Sequence, residues 1–162
     1  MSAAKDLAGD APLLLREDIA GGIAALTLNR PAARNSLSLQ LLETLESALA
    51  ALGEDPRVRC VILAANGPVF SAGHDLKEIT AHRADPDGGR GFYDRAMETC
   101  ARVMQAIVAL PQPVVAAVQG PCLAEGLGLL AGGGARAGAP GGQIGVGGER
   151  GGGVSVFCFF GR

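Results

Sequence analysis

The stretch GPVFSAGHDLKEI, residues 67–79, decides how the chain is read. An apolar run, VILAA at 61–65, leads into it, a glycine turn crosses it, and an acidic residue then opens a helix. The first turn of a helix has N–H groups with no intrahelical partner. Aimed at a carbonyl oxygen, such a donor stabilises the negative charge of an enolate or tetrahedral species. The stretch therefore predicts a backbone oxyanion site with the N–H of His74 as one donor. The second donor is expected from 120–126, where the next apolar strand turns.

Outward from this bend the chain alternates strands and helices. The run at 58–65 is rich in Val and Ile and ends in VILAA without a polar break, which suits a strand covered on both faces, as in a parallel sheet. Upstream, Ser38 can cap a helix reaching to about 52, with Leu42, Leu45, Leu49 and Leu52 on one stripe and Gly53 at its end. Before that, strands at 13–16 and 23–29 are joined through Gly21-Gly22, and Pro31 stops the second. Downstream, Asp75 and Glu78 have capping-box spacing and predict a short helix. ADPDGGRG at 84–91 reads as a flexible loop. A long helix follows at 92–110, with Phe92, Ala96, Cys100, Val103, Ile107 and Leu110 inward. VVAAV at 114–118 is the next buried strand. The order strand, strand, helix, strand, helix, helix, strand defines an α/β layered fold with a mainly parallel sheet.

Composition narrows the function classes. A net charge of −2 over 162 residues gives no electrostatic reason for nucleic acid or an acidic membrane surface. No apolar run is long enough to span a membrane. Cys60, Cys100, Cys122 and Cys158 are too scattered for a zinc site or a disulfide framework, and Cys60 reads as a small core hydrophobe. The first 20 residues mix charges with short apolar runs, unlike a secretory or transit peptide. Cytoplasm is the default compartment, with the mitochondrial matrix as the alternative. Of the 25 glycines, 15 fall in the last 42 residues. So glycine-rich a segment has a high backbone entropy cost and little apolar surface. The expected organisation is a flexible start at 1–12, a folded region at 13–126 and a disordered glycine-rich tail at 127–162.

Several residues carry two readings. Gly73 either supplies a positive φ or clears the backbone for a ligand. An imidazole can serve as a general base, but His74 has only His82 beside it in the sequence and no orienting partner in view, so its backbone is the better candidate. Asp75 reads as a helix cap. Arg34 is either a solvated charge or, with Lys77, a contact for phosphates. Phe92 and Tyr93 read as core or pocket wall. The glycine runs of the tail lack the order of a phosphate-binding loop.

Taken together, LNRPAARNSLSLQLLETL, VRCVILAANGPVFSAGHDLKEI and PQPVVAAVQG, in that order, resemble the enoyl-CoA hydratase/isomerase (crotonase) superfamily over residues 13–126. GPVFSAGHDLKE with YDRAMETCARVMQAI is similar to the enoyl-CoA hydratase domain-containing protein 3 type within it. The resemblance implies a spiral of ββα units, an acyl-CoA thioester as partner, homotrimers, and no cofactor beyond the coenzyme A of the substrate. It implies two backbone donors, carried by position onto His74 and Glu125. It places coenzyme A contacts on Ala33, Arg34 and Ser36, and on Ala72, Gly73, Asp75, Leu76 and Lys77.

The chain departs from the family after strand 114–118. It reads VQGPCLAEGLGLL, with Glu125 where the family has glycine and Gly128 where hydratases carry one catalytic glutamate. The second glutamate would lie within the glycine-rich sequence. The expectation is a truncated or frameshifted family member that keeps part of an acyl-CoA site and has lost hydration, with trimer assembly compromised. The alternative is a non-catalytic binding or interaction module.

Overall fold

The computed structural model describes residues 11–123, 126, 129, 135–138 and 144–145. Strands β1 (Leu14–Ile19) and β2 (Ile23–Leu28) form an antiparallel hairpin that pairs Ile19 with Ile23 across the Gly21-Gly22 turn. Helix α1 (Leu39–Gly53) follows, and β3 (Cys60–Ala65) then returns parallel to β2. Helices α2 (Leu76–Ala81) and α3 (Arg90–Ala109) precede β4 (Val114–Val118), which is parallel to β3. The seven expected elements are all present, in the expected order.

Three short strands follow: β5 (Cys122–Leu123), β6 (Ala135–Gly138) and β7 (Ile144–Gly145). β6 joins β4 in parallel to complete a five-stranded sheet of order β1-β2-β3-β4-β6, and β7 pairs with β5. β6 lies within the segment expected as the glycine-rich tail. Parallel pairing uses main-chain groups, so Ala and Gly do not prevent a segment from joining an open edge. Apart from 129, 135–138 and 144–145, the expected tail lies outside the described residues, as do residues 1–10 of the expected flexible start.

The core is one layer of helices on one sheet face. Leu42, Leu45, Leu49 and Leu52 are fully buried along α1, as their spacing predicts, and Ser38 Oγ accepts a hydrogen bond from Leu41 N–H at 3.3 Å as the cap. They pack with Leu26, Leu28, Val61, Leu63, Val114, Ala116 and Val118 from the strands and with Val103 and Ile107 from α3. The expectation of strands covered on both faces is not met. β3 and β4 alternate buried with half-buried residues, so Ile62, Val115 and Cys60 lie on the less covered face. An apolar run cannot distinguish two covered faces from one covered and one half-covered.

Two further expectations change. The segment 84–91 is not a loose loop: Asp87 accepts hydrogen bonds from Gly89 N–H at 2.9 Å and Gly91 N–H at 2.8 Å, and α3 starts at Arg90. Tyr93 is exposed, while Phe92 stacks on the His82 ring with centroids 3.8 Å apart. Among the described residues no helix is long and apolar enough to cross a membrane.

Candidate active site

Two segments leaving the sheet run side by side. Ala72 N–H donates to Arg34 O at 3.1 Å, Leu37 N–H to Gly73 O at 2.8 Å, and Asp75 N–H to Leu37 O at 3.2 Å. Leu37 and His74 thus form a parallel bridge. In that arrangement the neighbours of His74 bond to Leu37, and the N–H of His74 itself points to the opposite edge. Gly73 sits at φ 82°, where a residue with a Cβ costs roughly 1–2 kcal/mol. The conformational reason for glycine at 73 is therefore present.

A polar lattice holds these segments. Arg30 Nη1 donates to Ser36 O at 2.6 Å, and Nη2 reaches Asp75 Oδ2 at 3.0 Å. Ser36 Oγ donates to the same Asp75 oxygen at 3.0 Å. Asp75 Oδ1 accepts from Glu78 N–H at 3.3 Å, which is the expected cap of α2. The reciprocal half of the capping box does not form, because Glu78 Oε2 accepts from Leu39 N–H at 3.0 Å and serves the start of α1 instead. Burial alone would raise the Asp75 carboxyl, but hydrogen bonds from Arg30, Glu78 N–H and Ser36, with the Arg30 charge, outweigh it and hold the group below the usual Asp value.

Asn35 anchors the loop from inside. It is fully buried at φ 50°, a left-handed conformation that Asn tolerates. Its Oδ1 accepts from Arg30 N–H at 2.8 Å, and its Nδ2 donates to Asn66 O and Val69 O, each at 2.8 Å. Ser71 Oγ donates to Asn35 O at 3.0 Å and accepts from Gly73 N–H at 3.3 Å.

The second turn docks against the first. Phe70 N–H donates to Pro121 O and Leu123 N–H to Ser71 O, both at 2.9 Å. Gly120 approaches so closely that a Cβ there would collide with Pro68 O. Gly126 lies against Ser71 and Cys122. Burial pushes the Cys122 thiol up to about 12, so it stays protonated at neutral pH.

The structure thus brings most of the expected site residues together. Ala33 ends a single 3-10 turn, Pro31–Ala33, and Arg34 follows it, exposed and left-handed. Ser36 and His74 are buried, and Ala72 and Gly73 lie in the laced segment. Leu76, 71% exposed, and Lys77 line an open depression of about 500 Å³ with Thr80 and Ala81. The hydroxyl of Ser36 and the carboxylate of Asp75 are committed to the lattice, so their side chains face each other and Arg30. Glu125 lies outside the described residues. Sequence reasoning missed Arg30, Asn35, Asn66 and Ser71. The signal in view is the set of polar residues in RPAARNS, residues 30–36.

Two turns thus emerge from one sheet edge and interlock, the first of them carrying the left-handed Gly73. The enoyl-CoA hydratase/isomerase family model matches residues 18–132, and the chain belongs to that family. The match passes residue 126, where the resemblance had been expected to end. Among curated relatives, enoyl-CoA hydratase domain-containing protein 3, mitochondrial, of Danio rerio is 38% identical over 125 residues, which is 77% of this chain and 42% of that protein. The Homo sapiens protein of the same name is 39% identical over 110 residues, 68% of this chain and 35% of that protein. The chain therefore spans about two fifths or less of these relatives. Among solved structures, an enoyl-CoA hydratase of Mycobacterium smegmatis matches with a TM-score of 0.76 at 42% identity, covering 83% of this chain and 50% of that one. Human enoyl-CoA hydratase domain-containing protein 3 matches with a TM-score of 0.75 at 30% identity, covering 83% and 51%.

Proposed function

We propose that this chain binds an acyl-CoA thioester and polarises its carbonyl through the backbone N–H groups of His74 and Glu125, without hydrating the double bond at an enzymatic rate. The observation that supports this is the interlocking of 70–75 with 120–123 through Phe70–Pro121 and Ser71–Leu123, which brings the segment holding His74 beside the one that leads to Glu125. Arg34 and Lys77 are exposed cations flanking the laced segments, suited to the phosphates of coenzyme A, and Leu76 offers apolar surface beside them. Coenzyme A enters as part of the substrate, and no separate cofactor is invoked. Fatty acid metabolism is the setting this substrate class implies.

Hydration requires an acid/base group, worth typically ~10²–10⁴-fold in rate. Gly128, at the position of a family glutamate, has no side chain to supply one. The vertebrate relatives are named as mitochondrial, which favours the mitochondrial matrix over the cytoplasm expected from the sequence. Exposed Leu76, Val108 and Leu123 favour a second reading, a non-catalytic module that associates through them.

Calorimetry of the full chain with crotonyl-CoA, free coenzyme A and a hydration assay separates these readings. Thioester binding tighter than free coenzyme A, with turnover near background, is expected. Absence of thioester binding removes the proposal, and turnover well above background removes its non-hydrating half. Size-exclusion chromatography distinguishes a monomer from the homotrimer that the resemblance implies and from wider association.

A further inference from the structure

We infer that Arg30 is a positioning residue that aims and polarises the His74 N–H through a relay of two peptide groups, an inference that rests on the thioester-polarising reading above. The relay is continuous. Arg30 Nη1 donates to Ser36 O at 2.6 Å. That carbonyl shares its peptide with Leu37 N–H, which donates to Gly73 O at 2.8 Å. The Gly73 carbonyl in turn shares its peptide with His74 N–H. A peptide is planar and trans, so its N–H points away from its C=O. Fixing Gly73 O against Leu37 therefore fixes the direction of the His74 N–H.

The same chain transmits charge. Each peptide in a hydrogen-bonded series is polarised by the one before it, by ~10–30% per bond. Here the series begins at a guanidinium, a delocalised cation with donors in a rigid planar fork. It is held at its source: Nη2 reaches Asp75 Oδ2 at 3.0 Å, Nη1 also lies 3.2 Å from Ser36 Oγ, and the Arg30 N–H is tied to Asn35 Oδ1 at 2.8 Å. Nothing in this arrangement requires Arg30 to touch the ligand. It acts at two peptides' remove.

The test compares wild-type full chain with Arg30→Met and Arg30→Lys by two readouts. The first is the red shift in absorbance of a bound aryl-conjugated 2-enoyl-CoA, which reports carbonyl polarisation. The second is hydrogen exchange at the Leu37 amide without ligand. Arg30→Met is expected to diminish the red shift, weaken binding ~10-fold and accelerate Leu37 exchange by a similar factor, while the β2–β3 amides stay protected. Arg30→Lys keeps one charged donor and is expected to recover part of each effect. If Arg30→Met is too unstable to remain folded, Arg30→Lys against wild type carries the comparison, with partial losses in both readouts expected. Unchanged Leu37 exchange and an unchanged red shift in the folded variants would overturn the relay. A wild type that binds no thioester, or binds it with no red shift, while Arg30→Met still accelerates Leu37 exchange, would leave the positioning role standing and remove the thioester reading.

Discussion

Helix α1 and the laced segments 30–38 and 66–75 meet at Ser38, yet different forces hold them. The helix is fixed by leucines that reach into a shared apolar cluster with the sheet and α3. The segments are fixed by Arg30, Asn35, Ser36, Ser71 and Asp75, whose polar atoms satisfy one another and the turns' peptides. Apolar burial is non-directional and scales with area, whereas a buried polar group is stabilising only while its partners stand in place. The first region tolerates modest changes of angle. The second does not, and this is the property that the proposed role of the His74 N–H requires.

The largest expected effect lies in the apolar region. Leu45 is fully buried in the cluster, so Leu45→Ala removes side-chain volume that the surrounding sheet and helices cannot readily refill. A loss of about 2–5 kcal/mol is expected in urea unfolding, with strands and helices melting together. A transition in which 66–75 opens while the sheet survives would contradict the division drawn here.

Asn35→Ala probes the other region. It deprives Arg30 N–H, Asn66 O and Val69 O of their buried partner at once. Water can reach part of the loop, so the expected cost is about 1–3 kcal/mol. The variant should keep its helical circular dichroism while amides of 66–75 exchange faster. Uniform loss of protection across β2 and β3 would show that the lattice and the core are one cooperative unit.

Much of the apolar region could be read from sequence, and little of the lattice could. Leucines at helical spacing have one face to bury, so Leu42, Leu45, Leu49 and Leu52 specify their own environment. Asp75 announces its cap in the same local way. Asn35 and Arg30 do not, because Asp75, Asn66 and Val69, which they bond, lie 31 to 45 residues away and only the returning chain brings them near. Glu78 shows the limit within a recognised motif. Its spacing to Asp75 is that of a capping box, yet its carboxylate serves Leu39 N–H on another helix. Strand β6 was hidden for a different reason: its residues carry no strand-favouring side chains, and the open edge of β4 recruits their main chain.

Asp75 gives the comparison a pH coordinate. Its carboxyl is held below the ordinary Asp value, so its contribution to stability is complete above pH about 5 and is lost as pH falls through the unfolded value and then the lowered one. Asp75→Asn removes that share. The stability difference between wild type and Asp75→Asn should stay constant from neutral pH down to roughly pH 5 and shrink on further acidification. A difference that grows as pH falls would mean that the ionised group is destabilising and that burial outweighs the Arg30 and Ser36 bonds.

The smallest effect is expected where a charge pair ties α3 to α1 on the surface. Arg102 Nε lies 2.7 Å from Glu46 Oε1, a shorter contact than Arg30 makes with Asp75, but both side chains are substantially exposed. Water and salt screen such a pair, and ordering two long side chains offsets most of its attraction. Glu46→Gln also leaves Arg102 Nη2 its bond to Thr99 Oγ1 at 3.0 Å. The melting midpoint should move by less than about 2 °C, and added salt should erase the shift. The longer Arg30–Asp75 contact should resist the same salt, since it is sheltered and each partner is held by further bonds. If salt weakened both alike, distance rather than enclosure would rank these pairs, and the contrast between the polar lattice and an ordinary surface would fail.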